Sequence, residues 1–499
     1  LEKRKFGRYL RHILTLLVLI LIVMGLYHSY KPLPAGLDYS GELHVARDVQ
    51  FLADLTFVDA GQTLDGDGAS ERRFQQTIFD NIFAMIDSAE RFILIDMFLF
   101  NGFQGVVPEE HRALSTELKN RLISQKRLHP QMQILFITDP FNTLYGGVEA
   151  AHLSQMQAAG ISVTYSKLTS LRDSNPFYSA LWRVFVAHWG NDIGAALPNP
   201  ISEGRVSVRT YLSLMNFKAN HRKVVIADRD YDYVGLVTSA NPHDGSSAHG
   251  NVALRFGGLA VADLLATEFA VLKMSGAQMS DIQISDIEME IEAAANLKPE
   301  PSAEGYQLQV LTENAVEVAL LETIASTEQG DRLDVAVFYL SDSHIVKALL
   351  DSQRRGVKLR VLLDPNKDAF GRTKNGIPNR QTAHELQSTG VPLRWCDTHG
   401  EQCHSKFLLA QFADGTGHLI IGSANYTRRN LDNFNLETSV RLVALRDSQV
   451  LIEAAEWFDM RWSNLEGRQF SVEYQEYADE GLWHRIIYRF MEASGMSTF

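Results

Sequence analysis

A chain of 499 residues that is 45% hydrophobic and 21% charged has room for two or three folded domains, which excludes a largely disordered protein. Its formal charge of −13 weighs against a surface built to neutralise nucleic-acid phosphates, without excluding a local basic cleft. Two cysteines, Cys396 and Cys403, are too few for a disulfide framework or a structural zinc site.

Lys3, Arg4, Lys5, Arg8 and Arg11 precede an uncharged, apolar run from Ile13 to Tyr27, extendable to Tyr30. Extended to Tyr30, its 18 residues would reach about 27 Å as a helix, close to the thickness of a hydrocarbon core. The basic flank places that side in the cytoplasm and the rest of the chain on the extracytoplasmic side. No small-x-small cleavage site follows, so residues 1–31 are expected to be an uncleaved membrane anchor rather than a signal peptide.

Residues 32–70, with Pro32, Pro34, Gly36 and a Gly/Asp-rich run over 61–68, read as a tether. Regular patterning then begins. Helical periodicity over 74–88 precedes a strand at 92–100. A helix over 111–124 leads to a strand at 134–138 that ends on Asp139-Pro140, and a helix over 148–159 stops at Gly160 before a strand at 161–165. Alternating helices and apolar strands predict an α/β fold with a parallel or mixed sheet covered on both faces. The pattern breaks over 166–219, where Phe177, Tyr178, Trp182, Phe185 and Trp189 fit either a packed helix or an apolar wall for acyl chains near a membrane.

The next stretch, His221-Arg222-Lys223 through Asp228 to Ser239-Ala240-Asn241, places an imidazole and an ammonium two apart on a strand and hence on one face. Alone, His-x-Lys is a frequent accident. Here it recurs as His404-Ser405-Lys406 with Ser423-Ala424-Asn425, 183 positions later, and other landmarks recur in the same order. The strand at 333–340 answers 92–99, Asp364-Pro365 answers Asp139-Pro140, and the helix at 383–390 answers 151–160. This duplication predicts a first domain over 71–280, a linker over 281–328, a second domain over 329–466 and a tail helix within 467–499. The tail, with Trp483, Ile486, Ile487, Tyr488 and Phe490, reads as a docking helix or a second membrane-surface contact.

Two α/β/α units related by a pseudo-twofold axis would bring both motifs to one cleft, and that constellation suits displacement at a phosphodiester. One neutral histidine attacks phosphorus, and the other, protonated, donates to the leaving alkoxide. Lys223 and Lys406 stabilise the non-bridging oxygens, and Asn241, Asn425, Ser239 and Ser423 are expected to bind the phosphate. With this fixed positive charge no metal or other cofactor is expected.

These residues resemble the phospholipase D superfamily, marked by a duplicated His-x-Lys-x4-Asp motif followed by Gly-Ser or Gly-Gly and then x-Asn. Asn220-His221-Arg222-Lys223 is similar to the form found in bacterial cardiolipin synthases. The resemblance spans about 74–462 and implies a metal-independent, ping-pong phosphodiesterase or phosphatidyltransferase that acts through a phosphohistidine. By analogy His221 is the nucleophile and His404 the general acid, and the implied substrates are a phospholipid and a water or alcohol acceptor. The chain departs from the pattern at Gln411, where the family has Asp (Asp228 is kept in the first copy), and at Thr238, where Gly is usual. An acidic residue about a dozen positions past the Asn, which orients the histidine, is expected to be Glu437 for the second copy; the matching first-copy position is Ala253. A disulfide between Cys396 and Cys403 would brace the loop before His404 in an oxidising compartment. A basic loop with Lys367, Arg372, Lys374 and Arg380 offers charge for a lipid headgroup. The rival readings are a membrane-anchored nuclease of the same superfamily and a lipid-binding pseudoenzyme.

Overall fold

A computed structural model describes residues 2–62, 72–104, 111–191, 196–201, 203–230, 232–277, 287, 289–293, 305–369, 372–495 and 497. Helix α1 (Glu2–Tyr30) contains a segment, Lys5–Tyr30, long and apolar enough to cross a membrane, and its apolar window is 6% buried. Its last turns touch the body: the His28 carbonyl accepts from Asp173 N and, just past the helix, the Lys31 carbonyl accepts from Arg172 Nε, both at 2.9 Å.

The body is built on one mixed sheet whose two halves run through the same pairing order. In the first half β1 (His44–Asp59), β2 (Phe92–Met97), β3 (Gln133–Thr138), β4 (Ser162–Tyr165), β5 (Lys223–Arg229), β6 (Asp232–Thr238) and β7 (Asn251–Gly258) lie in the order β4-β3-β2-β5-β6-β7-β1. In the second, β8 (Gln307–Thr312), β9 (Arg332–Val337), β10 (Lys358–Leu363), β11 (Leu393–Cys396), β12 (Lys406–Gln411), β13 (Thr416–Gly422) and β14 (Thr438–Leu445) lie as β11-β10-β9-β12-β13-β14-β8. In each half the first three strands of that order are parallel and the rest antiparallel, and β1 pairs with β8 at His44↔Leu308 to join the halves. The parallel strands β2 (FILIDM) and β9 (RLDVAV) are almost continuously buried, as strands covered on both faces must be.

Helices α2 (Ile78–Ser88), α3 (Leu114–Leu128) and α4 (Ala151–Ala158) connect the first-half strands, and α5 (Pro176–Phe185) and α6 (Val208–Leu214) stand in the aromatic insert. Beyond α7 (Ala260–Ser275) come α8 (Asn314–Ala325), α9 (Ser343–Arg354), α10 (Asn379–Gln387), α11 (Arg428–Leu431), α12 (Gln449–Ser463) and α13 (Leu482–Ser494). One apolar core is common to both halves and joins Leu264 and Leu265 of α7 and Trp457 and Phe458 of α12 to strand residues Val224, Ile226, Phe407 and Leu409. Two further cores, one in each half, complete the layers.

Two expected boundaries are corrected. Residues 32–70 are not simply a tether, because 44–59 form the sixteen-residue β1 inside the sheet. Its alternation is hidden by a register shift between Arg47 and Gln50, so a period-two reading fails there. Most of the Gly/Asp-rich run at 61–68 lies outside the described residues, as do 281–286 and 294–304 of the expected linker. The linker is also shorter than 281–328, since β8 and α8 belong to the second half. In the tail, Ser471–Glu473 add an edge strand to β11, and α13 packs Ile487, Tyr488 and Met491 onto Phe338, Tyr339 and Ile377 while Trp483, Ile486 and Phe490 stay exposed.

Arg222, the residue between His221 and Lys223, is fully buried and ties the halves together. Its guanidinium meets Glu268 at 3.1 Å and Glu313 at 2.7 Å, and Glu313 also accepts from the backbone of Glu437. Removing one member of such a buried set leaves uncompensated charge. Arg222→Met is therefore expected to destabilise the fold by about 3–5 kcal/mol, which equilibrium urea unfolding would register as an earlier transition.

Candidate active site

The two histidine-bearing segments are held by backbone exchanged between the halves. His221 N donates to Leu436 O and Leu436 N to Ala219 O; reciprocally, His404 N donates to Gly250 O and Gly250 N to Gln402 O, all at 2.8–3.0 Å. The repeated Asp-Pro corners secure the preceding residues. Asp139 accepts from Asn220 N at 2.6 Å and Asp364 from Cys403 N at 2.8 Å. Burial pushes the Asp139 carboxyl up to about 7 and that of Asp364 up to about 6. Cys396 and Cys403 are joined as a disulfide beside this corner.

The side chains follow the same crossed arrangement. His221 Nδ1 lies 3.0 Å from the Glu437 carboxylate, and His404 Nδ1 lies 3.2 Å from Asn251 Oδ1. The assignment of Glu437 to His404 is thus corrected: each histidine is oriented by the opposite half, and the structural counterpart of Glu437 is Asn251, not Ala253. Linear spacing could not reveal this, because the partner is chosen by the strand that crosses over. Ser239 and Ser423 are corrected as well. Both are fully buried away from the cleft; Ser239 Oγ bonds Asn251 Oδ1 at 3.1 Å, and Ser423 Oγ bonds Glu437, so they brace the orienting side chains instead of facing a phosphate.

Each lysine Nζ donates to the carbonyl of its own histidine, Lys223 to His221 at 2.6 Å and Lys406 to His404 at 2.7 Å. Each also lies over an aromatic ring, Phe98 at 5.2 Å and Phe338 at 5.3 Å, and the same rings sit 5.0 Å from the respective imidazoles. Burial pushes Lys223 down to about 7 and Lys406 well below its ordinary value. It also lowers His221 to about 4, against the pull of Glu437 and with the help of Lys223. His404 is held well below the usual histidine range by burial and then by Lys406, His249, Lys223 and His221. Burial so disfavours positive charge here that an anion entering the cleft would be met by proton uptake.

His221 and His404 line one cleft of about 410 Å³ together with Asn241 and Asn425. Asn241 Oδ1 accepts from Leu99 N at 3.3 Å, which leaves its amide N–H groups for the cleft. Sequence reading missed His249, Phe98, Phe338, Tyr339 and Arg429, which line the same space. Of the basic loop, Lys374 reaches the cleft, over the Phe338 and Tyr339 rings, whereas Lys367 and Arg380 pack on Tyr477.

Asp228 lies at the far end of β5. Its carboxylate accepts from the backbone N–H groups of Glu90, Arg91 and Phe92, so it fastens the turn into β2 and does not approach the cleft. The second half secures the equivalent turn with Asp331, which accepts from Glu328 N and Ala413 N, and this accounts for Gln411 standing where an Asp is expected. Thr238 is also accommodated: its hydroxyl donates to Val252 O at 2.9 Å and accepts from Ala240 N at 3.0 Å. At Gly422 an added Cβ would overlap Thr438 O and Ser439. Among the described residues, the group with metal-ligand spacing is Glu317, Asp342 and His344, none of which lines the cleft.

Residues 320–462 match the family described as cardiolipin synthase, PLD-like domain. This is a phospholipase D-like fold. The chain resembles the crystal structure of phosphatidylserine synthase from Haemophilus influenzae, with a TM-score of 0.55 and 10% identity over 92% of this chain and 96% of that one. Nuc, a phospholipase D family member from Salmonella typhimurium, is 19% identical over 33% of this chain and 97% of its own, with a TM-score of 0.25. Yeast tyrosyl-DNA phosphodiesterase is 11% identical over 78% of this chain and 88% of its own, with a TM-score of 0.41. Neither of these two weaker likenesses bears on function. No curated protein sequence matches the chain.

Proposed function

We propose that this protein is a membrane-anchored phosphodiesterase or phosphatidyltransferase of the phospholipase D type that acts on phospholipids. The observation that carries the reading is the pair of imidazoles in one cleft, His221 backed by a carboxylate and His404 by an amide. A carboxylate at Nδ1 holds the tautomer with a lone pair on Nε2 and compensates the charge that grows on the ring as it attacks phosphorus. An amide oxygen holds the same tautomer without supplying charge, which leaves a protonated His404 the stronger acid.

In the first step the His221 Nε2 lone pair forms a bond to phosphorus, the P–O bond to the leaving alcohol breaks, and the alkoxide takes the His404 proton. In the second, His404 removes a proton from water or an acceptor alcohol, whose oxygen bonds to phosphorus as the P–N bond breaks. Lys223, Lys406, Asn241 and Asn425 bear the charge on the non-bridging oxygens. Helix α1 keeps the cleft at its substrate, with the catalytic halves on the extracytoplasmic side by the distribution of basic residues.

The test is to incubate the full chain with phosphatidylglycerol vesicles and, separately, with labelled single-stranded DNA. Lipid turnover that the His221→Ala, His404→Ala double variant lacks is expected. Cleavage of DNA alone would make it a nuclease, and turnover of neither, with no trapped phosphoenzyme, would leave a binding protein.

The productive free form has His221 neutral and His404 protonated, so kcat/KM is expected to fall as pH rises through the depressed His404 value, below pH 6.5. A bound phosphodiester anion raises that value, and the kcat profile then lies at higher pH. Asn251→Asp gives His404 a carboxylate and should move the alkaline limb of kcat/KM up by about one to three pH units, read from the pH dependence of p-nitrophenyl phosphodiester turnover.

A further inference from the structure

A second, larger cavity of about 580 Å³ adjoins the cleft and shares Tyr145 and Lys218 with it as a common wall. Its sides come from the corner after Asp139, the end of β4 and the two insert helices α5 and α6. Carbon surface dominates, from Pro140, Val148, Ala150, Tyr165 and Leu168. Three of its lining residues carry a buried hydrogen-bonding group that is unsatisfied. Among the described residues Trp182 Nε1, Ser213 Oγ and Arg209 Nε are buried without a partner, and all three residues line the cavity. Trp182 is 8% exposed and Ser213 4%, so solvent is not an easy substitute. Buried donors left unpaired cost about 1–3 kcal/mol each, and a cluster of them in one cavity marks a place where an acceptor is missing.

The wall is also tied to the membrane segment. Gly25 of α1 packs against the Pro176 carbonyl at the start of α5, and Ser29 Oγ and His28 O bond the backbone of Asp173, just before α5. The helix that supplies Trp182 and Arg183 therefore stands between the end of α1 and the cavity.

We infer that this cavity is a binding site for the acyl–ester portion of a glycerophospholipid whose phosphodiester occupies the cleft. The ester oxygens accept from Trp182, Ser213 and Arg209, and the hydrocarbon lies on the apolar walls. An amphiphile is the ligand class that satisfies both features: a purely polar ligand would waste the carbon surface, and a hydrocarbon would leave the donors unpaired. The inference rests on the phospholipid reading given above and extends it to the residues that select a lipid over a small phosphodiester.

The experiment uses the full chain in vesicles of phosphatidylglycerol carrying a diazirine in one acyl chain, with labelled peptides mapped by mass spectrometry. Labels on α5, α6 and the 143–150 segment are expected. Two variants accompany it: Trp182→Phe removes one donor and keeps the ring, and Ser154→Trp places an indole at the exposed rim of the cavity. Each is expected to raise KM for the vesicles about three- to tenfold while turnover of soluble bis(p-nitrophenyl) phosphate stays unchanged, which also shows the variants to be folded. Labels confined to α1, or an unchanged KM in both variants, would overturn the inference without touching the phosphodiesterase reading. So would equally efficient labelling of the cavity by a diazirine-bearing alkane, which has no acceptor oxygen. If the wild-type chain turns over neither substrate, the function fails and the label map still decides the cavity.

Discussion

His221→Ala is expected to lower turnover by about 10⁴-fold or more, for phospholipid and for p-nitrophenyl phosphodiesters alike, and to abolish any phosphoenzyme. The loss is independent of the leaving group because the attacking atom itself is gone. His404→Ala is expected to behave differently with the two substrates. p-Nitrophenolate leaves without a proton, so the first step survives and the chain releases a burst of about one equivalent while a phosphohistidine accumulates. A lipid alkoxide needs the proton, so lipid turnover is lost. Rapid-mixing absorbance and an acid-labile, base-stable phosphate label distinguish the cases. A burst retained in His221→Ala and lost in His404→Ala would reverse the roles. The reason for this assignment is local: Glu437 lies at His221 Nδ1, and Asn251 at His404 Nδ1.

Much of this is legible in the amino-acid sequence. The repeated His-x-Lys segments, the apolar strands 92–99 and 333–340 and the two Asp-Pro corners are local patterns, and a local pattern survives in a linear text. The function of the Asp-Pro corners was not legible: Asp139 and Asp364 hold the residues that precede His221 and His404, 82 and 40 positions away. Nor was the crossing of the orienting residues, because which half supplies a partner depends on how the strands that carry Asn251 and Glu437 pass the opposite loop. β1 was hidden for a different reason, its alternation being broken by the shift at Arg47 and Gln50. Ser239 and Ser423 share the motif with Asn241 and Asn425, yet side chains alternate along an extended segment, so adjacency in sequence put them on the buried side. Asp228 travels with the motif, yet it lies at the other end of β5, where it serves the fold.

Glu437→Gln tests the crossed arrangement by exchanging one carboxylate oxygen for an amide nitrogen. The carboxylate is fully buried and accepts from His221 Nδ1, Ser423 Oγ and Asn430 Nδ2. Burial alone would raise its pKa, but His221, Lys223 and Ser423 hold it below the ordinary value, so it is ionised in the working site. An amide in its place presents an N–H₂ that can face the imidazole, which then favours the tautomer with its lone pair on Nδ1 and a hydrogen on the attacking Nε2. Turnover is expected to fall by about 10²–10⁴-fold, chiefly in formation of the phosphoenzyme. The sign with pH follows from the same contact: Glu437 raises the His221 pKa, so its removal lowers that pKa further, and the acid limb of the profile moves to lower pH. Raising the pH therefore does not rescue the variant. Glu437→Asp keeps the charge at a longer reach and should recover part of the rate. Were Glu437 serving its own half, Glu437→Gln would leave the burst with p-nitrophenyl substrate at the wild-type rate and slow only the breakdown that follows, which a single stopped-flow trace separates from the outcome expected for a carboxylate that crosses over to the nucleophile.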